Sequence, residues 1–168
     1  KTKIQYLLKN LDTKKINNLC KIIKETSNSE NNIFVFGNGG SSSTANHFAN
    51  DMTKNAKIKT LSFSNDNLIT CYSNDYGFEN WIKKVLENYA KPNDLAIFIS
   101  ASGNSENVVR GARFCRSRNI KSYSLTGLKK NNKLNSISDN FFWINSSSYN
   151  QIEIIHHMIL LVSVDILI

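Results

Sequence analysis

Two glycine- and serine-rich segments carry the residues best suited to chemistry in this 168-residue chain. Residues 37–43 read Gly-Asn-Gly-Gly-Ser-Ser-Ser, and residues 100–105 read Ser-Ala-Ser-Gly-Asn-Ser. Glycine lets backbone N–H groups come close to a ligand, and serine adds hydroxyl donors. A helix that begins after such a segment also favours an anion at its N-terminus. Together the two segments predict a site that holds one phosphate group without lysine or arginine.

Ordinary helix-capping turns are the alternative for either segment taken alone. The first segment is not a Walker loop, because no Gly-Lys-Ser/Thr follows it. It is also an incomplete dinucleotide fingerprint, since Ser42 stands where the third glycine belongs. The presence of two such segments favours phosphate binding over two unrelated caps.

Strands precede both segments and helices follow them, which is the arrangement that would position them. Residues 33–36 and 95–99 are continuous apolar runs typical of buried strands. Weaker strand candidates cover residues 60–63, 122–125 and 141–144. Helical spacing predicts one or two helices over residues 3–26, and further helices near residues 40–55, 76–90, 108–118 and from 150 to the end.

This alternation predicts a single α/β domain, a three-layer sandwich whose parallel sheet has helices on both faces. The N-terminal helices would pack on a core formed by residues 32–168. Ligands of such sheets bind at the carboxyl ends of the strands, where both segments fall.

The net charge of +8 is compatible with nucleic acid, a membrane surface or phosphorylated small molecules as partners. Arg110, Arg113, Arg116 and Arg118 align only partly on one helix face, and no aromatic residues lie between them. A solvated helix is therefore favoured over a nucleic-acid surface.

The three cysteines, Cys20, Cys71 and Cys115, are scattered and fit free thiols in a reducing compartment. No signal-peptide pattern is present at the start, and the most apolar stretch, residues 158–168, is too short to span a bilayer. We therefore expect a cytoplasmic protein with no membrane partner.

Four motifs, in chain order, resemble the sugar isomerase (SIS) domain family, and its phosphoheptose isomerase branch in particular. They are Gly37-Asn38-Gly39-Gly40-Ser41 with His47-Phe48-Ala49, Asn74-Asp75-Tyr76-Gly77-Phe78-Glu79, Ser100-Ala101-Ser102-Gly103-Asn104-Ser105 and Leu125-Thr126-Gly127. The resemblance implies one SIS domain over residues 1–168 with a flavodoxin-like sheet. It implies conversion of sedoheptulose 7-phosphate to D-glycero-D-manno-heptose 7-phosphate for lipopolysaccharide or capsule synthesis. It also implies a homotetramer with sites between subunits.

The resemblance assigns binding roles as well. The sugar phosphate would be held by Ser100, Ser102 and Ser105. The other substrate-binding positions implied are Asn38, Gly39, Gly40, Ser41, Asn74, Asp75 and Ala101.

An aldose–ketose shift needs a base that takes a proton from carbon and a group that stabilises the enediolate. The resemblance implies that a His, a Glu four residues later, a Gln and a second His share a metal. In this chain those positions carry His47, Asp51, Glu153 and Leu161. Asp51 keeps the carboxylate but is one methylene shorter, a retreat of about 1 Å that matters for rate. Leu161 neither binds a metal nor moves a proton.

His47, Asp51 and Glu153 therefore remain as the expected catalytic set. They are also the expected ligands of zinc or another divalent cation, with a position left open for substrate. Glu153 could equally cap or solvate its own helix.

His157 lies one helical turn before Leu161, so a one-turn shift would bring it into the site. We favour the interpretation that one of His156 and His157 packs in the core and the other lies at a subunit contact.

A catalytically weakened or inactive SIS domain is the alternative to a heptose isomerase. Such a domain would sense a phosphosugar or form a protein-interaction module, like one SIS protein that binds the bacterial replication initiator. Leu161 favours this alternative. An isomerase or epimerase for another sugar phosphate also remains open.

Overall fold

The computed structural model describes residues 3–168 and places five parallel strands between two layers of helices. The strands are β1 (Ile33–Gly37), β2 (Thr60–Ser62), β3 (Leu95–Ser100), β4 (Lys121–Thr126) and β5 (Asn140–Trp143). Their order across the sheet is β2-β1-β3-β4-β5, which is the flavodoxin-like order. The predicted fold class is thus confirmed. Residues 1 and 2 of the predicted domain lie outside the described residues.

Eight α-helices connect and cover these strands in the described part of the chain. They are α1 (Lys3–Lys9), α2 (Thr13–Asn28), α3 (Gly40–Lys54), α4 (Asp66–Tyr76), α5 (Trp81–Tyr89), α6 (Glu106–Ser117), α7 (Lys133–Ile137) and α8 (Tyr149–Leu167). The amphipathic stretch predicted over residues 3–26 is therefore two helices.

The sheet separates two hydrophobic cores, because successive side chains of a strand point to opposite faces. Ile33 and Val35 of β1 lie in the core formed with α2, α3 and α8. Phe34 and Phe36 of the same strand lie in the core formed with α5 and α6. The helices that follow the two glycine- and serine-rich segments, α3 and α6, consequently pack on opposite faces of the sheet.

One predicted helix has different boundaries. The stretch predicted as a single helix over residues 76–90 contains the end of α4, a short 3-10 turn (Phe78–Asn80) and then α5. Gly77, with φ of 84°, interrupts the helical backbone. α4 fully buries none of its residues, although Leu68, Ile69 and Tyr72 pack partly buried against the core formed with α5 and α6.

α8 is long and apolar enough to cross a membrane by length and composition alone, a test that core helices also pass. Its residues Ile152, Ile155 and Ile159 are buried in the core that contains α3. Ile154 and Ile166 on its other side are 55% and 50% exposed. α8 is therefore a core helix that also presents an apolar outer face.

Candidate functional site

Two loops lie next to each other at the carboxyl ends of the strands. We call residues 37–43 the glycine loop and residues 100–105 the serine loop. β1 and β3 are hydrogen-bonded neighbours with Gly37 paired to Ile99, so both loops leave the sheet side by side. α3 begins in the glycine loop at Gly40, and α6 begins directly after the serine loop at Glu106. The structure thus brings the two segments together as the sequence predicted.

The serine loop is fixed by hydrogen bonds within the loop and to the segments around it. The Gly103 N–H donates to the Ser100 carbonyl at 3.0 Å, and the Gly103 carbonyl accepts from the Leu134 N–H at 2.9 Å. Gly103 has a φ of +63°, and a Cβ there would collide with the Asn132 side chain, which caps α7. α7, which sequence periodicity missed because it has only five residues, therefore holds this loop in place.

The serine hydroxyls of this loop do not cap α6. Ser105 is the N-cap residue, yet its side chain makes no capping hydrogen bond. The Ser102 hydroxyl accepts from the Asn104 N–H at 3.2 Å, within the loop, and Ser100 is buried. Because the first N–H groups of this 12-residue helix lack a side-chain cap, the geometry favours an anion site over an ordinary capping turn.

The one carboxylate in the first turn of α6 is surrounded by cations. Glu106 lies 3.0 Å from Arg110, 3.8 Å from Arg113 and 3.9 Å from Lys133. The hydrogen bond from Arg110 and the nearby positive charges lower the pKa of the Glu106 carboxyl. Arg110 also lies 3.7 Å from Glu79, so three cations face two carboxylates, and the remaining positive charge suits a bound phosphate.

Asn38 connects the two loops. Its amide Nδ2 donates to Asn107 Oδ1 at 3.0 Å, and Asn107 Nδ2 donates back to Asn38 Oδ1 at 2.8 Å. Asn107 lies in the first turn of α6 and is buried. The amide of Asn38, predicted to contact substrate, is thus hydrogen-bonded to protein.

The remaining predicted binding residues differ in accessibility. Ser41 and Ala101 are both buried, whereas Gly39 and Gly40 are exposed. Asn74 and Asp75 lie exposed near the end of α4, where Asn74 Nδ2 donates to Asp75 Oδ1 at 3.0 Å. Their role in binding substrate stays a prediction.

The predicted catalytic residues are arranged along the parallel helices α3 and α8. His47 Nε2 lies 3.2 Å from Asp51 Oδ2, one turn apart on α3. The Glu153 side chain of α8 packs against the first residue of α3, Gly40. A Cβ added to Gly40 would be only 2.7 Å from Glu153 Oε2. His47 and Asp51 therefore form a pair, while Glu153 lies closer to the glycine loop.

His157 joins this group, which the favoured interpretation of the sequence did not anticipate. Its Nδ1 lies 3.1 Å from the Thr44 hydroxyl, and its ring centroid lies 5.1 Å from that of His47. The spacing of four residues between Glu153 and His157 places both on one face of α8, and this was the signal available in the sequence. Leu161, four residues further along, continues that face.

His156 points the opposite way and packs in the core, as the sequence analysis expected of one of the two histidines. Its Nε2 donates to the Thr126 carbonyl at 3.1 Å. Burial lowers the pKa of His156 to about 4, so the ring is neutral near pH 7.

The predicted metal ligands do not come together as a set. Within residues 3–168, no three His, Cys, Asp or Glu side chains form a group able to hold a metal ion. His47 and Asp51 lie close together while Glu153 lies nearer the glycine loop, and zinc or another divalent cation held by the three stays a prediction.

A cavity of about 620 Å³ borders the serine loop. Ser102 and Asn104 line one side of it, and Lys129, Ser146 and Ser147 from the loops after β4 and β5 line the other. Its volume lies in the range of small-molecule sites. Lys129 and the two serines carried no recognisable motif in the sequence.

Comparisons with known proteins agree with this geometry. The family model for the SIS domain matches residues 2–127. A phosphoheptose isomerase of Fusobacterium nucleatum is 35% identical over 133 residues, which are 76% of this chain and 68% of that protein. A probable phosphoheptose isomerase of Thermoplasma acidophilum is 30% identical over 160 residues, 89% of this chain and 87% of that protein.

A solved structure of a phosphoheptose isomerase from Neisseria gonorrhoeae superposes with a TM-score of 0.90 at 24% identity. The alignment covers 97% of this chain and 89% of that one. At this identity the likeness supports the fold alone. The SIS family match ends before α8, the helix that carries Glu153, His157 and Leu161.

Proposed function

Because this chain belongs to the SIS domain family, in its phosphoheptose isomerase branch, we propose that it is an aldose–ketose isomerase acting on a sugar phosphate. We assign sedoheptulose 7-phosphate as the substrate and D-glycero-D-manno-heptose 7-phosphate as the product. The observation that carries the proposal is the serine loop, whose backbone and hydroxyl groups surround the uncapped N-terminus of α6 beside the helix pair α3–α8.

The phosphate is bound by the serine loop. Ser102 and Ser105 offer hydroxyl groups, and the first N–H groups of α6 offer backbone donors. The cations around Glu106 add favourable potential without touching the ligand. The sugar then extends from the phosphate towards Gly40 and Glu153.

The isomerisation moves one proton between neighbouring carbons. A carboxylate of Asp51 or Glu153 removes the proton from the carbon beside the carbonyl, which leaves an enediolate. The hydroxyl proton then moves from one oxygen of the enediolate to the other, and the carboxylate returns its proton to the former carbonyl carbon. His47 Nε2 lies 3.2 Å from Asp51 Oδ2, and the His157 ring packs against the His47 ring, so these groups would orient the base. A divalent cation held by His47, Asp51 and Glu153 stays a prediction, and no step is routed through it.

We propose a homotetramer with its sites between subunits, in the cytoplasm. The support is the apolar outer face of α8, where Ile154 and Ile166 are half exposed and lie on the helix that carries Glu153. A second subunit covering this face would also help to exclude water from the site.

An assay with sedoheptulose 7-phosphate, with and without added zinc, tests the proposal. We expect turnover by the unmodified protein, and a loss of kcat on the order of 100-fold in Asp51→Asn, which keeps the shape but removes the base. Glu25→Gln is the control, because Glu25 is an exposed carboxylate near the end of α2, 3.8 Å from Lys21 at the surface, and its change should leave kcat unchanged. Absence of turnover in the unmodified protein under both conditions would reject the proposal.

A phosphosugar-binding protein without catalysis is the second candidate, and Leu161 favours it. Leu161 is half-buried on the face of α8 that carries Glu153 and His157, where it supplies no polar group. Substrate binding without turnover in the same assay would select this candidate.

A further inference from the structure

The proposed site has two halves that belong to opposite faces of the sheet. The serine loop leads into α6 on one face, whereas Asp51, Glu153 and the two histidines lie on α3 and α8 on the other. An isomerase must hold the phosphate and the proton-transfer groups at one fixed separation, because a misplacement of about 1 Å costs about 100-fold in rate. The β1–β3 pairing already places the two loops side by side, and a contact beyond the ends of these strands would fix their separation more closely.

Asn38 and Asn107 form that contact. In the described part of the chain, no other side-chain hydrogen bond joins the glycine loop to residues 100–107. The two amides bond reciprocally at 3.0 and 2.8 Å, so each donates once and accepts once. Asn107 is only 2% exposed, and a buried amide without its partner would be costly.

The position of the pair fits this role. Asn38 is followed by the two exposed glycines, and the second of them, Gly40, meets Glu153. Asn107 lies two residues after Ser105, in the helix turn whose N–H groups face the phosphate. The pair therefore links the glycine loop, which leads to Glu153, directly to the first turn of α6, which would bind the phosphate.

We propose that Asn107 is a positioning residue that, through Asn38, sets the distance between the phosphate and the proton-transfer groups. This inference rests on the proposed isomerase function. Asn38 then acts through its bond to Asn107 and not through a contact with the sugar.

The test compares kcat and KM with the binding of inorganic phosphate. Asn107→Leu keeps the size of the side chain but removes both hydrogen bonds, and Asn107→Asp keeps the bond from Asn38 Nδ2. We expect kcat to fall by about 10- to 100-fold in Asn107→Leu and by less in Asn107→Asp. Phosphate affinity should stay within about twofold of the unmodified protein, since the serine loop is fixed by its own backbone and by α7.

A double-mutant cycle separates positioning from direct contact. If Asn38 acts only through Asn107, Asn38→Leu combined with Asn107→Leu should lower kcat no further than either change alone. A double variant that is clearly slower than both single variants would overturn the inference, because Asn38 would then have an effect of its own.

Two controls keep the outcome clear. Asn18→Leu breaks another asparagine pair, the 3.3 Å contact with Asn140 at the start of β5, and should leave kcat unchanged. Thermal unfolding shows whether Asn107→Leu is folded. Asn38→Leu removes the same two hydrogen bonds from the less buried partner and serves as a second variant. Unchanged kcat in both folded variants would overturn this inference alone, while an unmodified protein without turnover would overturn the proposed function as well.

Discussion

The serine loop and the α3–α8 helix pair are built in different ways. The serine loop is held by backbone hydrogen bonds, a positive-φ glycine and the cap of a neighbouring helix. The helix pair instead brings together side chains, His47, Asp51 and His157, that are at least partly exposed. The shape of the serine loop thus depends mainly on the main chain. The chemistry of the helix pair depends on which side chains occupy the facing surfaces of α3 and α8.

This difference explains which part of the site tolerates variation. A phosphate group looks the same in every sugar phosphate, so a backbone-built loop can stay fixed while the sugar changes. The α3–α8 pair can exchange one side chain for another without altering the backbone. Asp51, Glu153 and Leu161, the positions at which this chain departs from the pattern that the resemblance implies, all lie in that pair, as does the additional His157.

The largest effect is expected from a change to the main-chain half. Gly103→Ala adds a Cβ at a φ of +63° and drives it into the Asn132 side chain, whereas Gly39→Ala meets nothing within 4 Å at a φ of +52°. Both variants place a Cβ at a positive φ, but only Gly103→Ala adds a collision. Calorimetry with inorganic phosphate should show binding weakened at least about tenfold more in Gly103→Ala. Equal affinities in the two variants would contradict the backbone-built interpretation.

A second prediction separates the two neighbouring histidines of α8 by acid stability. His156 has its pKa lowered from 6.5 to about 4 by burial, so below pH 6.5 the unfolded chain takes up a proton that the folded chain does not. The free energy of unfolding should therefore fall between pH 6.5 and pH 4, by on the order of 3 kcal/mol. Denaturant unfolding at several pH values measures this fall.

Two variants sharpen that measurement. His156→Gln still donates to the Thr126 carbonyl but does not titrate, so the fall should largely disappear. His157→Leu, on the site side of α8, should retain it. An undiminished fall in His156→Gln would show that other groups cause the acid sensitivity.

The smallest effect is expected at His157. His157→Leu removes the contacts with the Thr44 hydroxyl and the His47 ring. We expect kcat to fall on the order of tenfold with little change in KM, since His157 orients the base and does not hold the phosphate. His157→Asn, whose amide can still bond Thr44, should recover part of the loss. If kcat is unchanged in His157→Leu, the helix pair works without this histidine.

The sequence predicted the main-chain half more fully than the side-chain half. The runs at residues 33–36 and 95–99 marked β1 and β3, and glycine with serine after each run marked the loops, because these features are local. α7 and α4 were missed, since the first has five residues and the second fully buries none of its residues. Which residue of α8 lies beside His47 depends on how α3 and α8 align along their length. That alignment of two helices far apart in the chain is not evident from a single sequence.

The parallel packing of α3 and α8 also has a consequence for the order of folding. Every neighbouring pair of strands is parallel, so no strand pair forms through a tight hairpin. α8 is translated after all other described elements, and until it docks, Phe48 and Met52 on the inner side of α3 lack one wall of their core. The face with α5 and α6 can close earlier, because its helices are made sooner. We therefore expect the proposed proton-transfer half to be the last of the described elements to form, after the proposed phosphate-binding loop is in place.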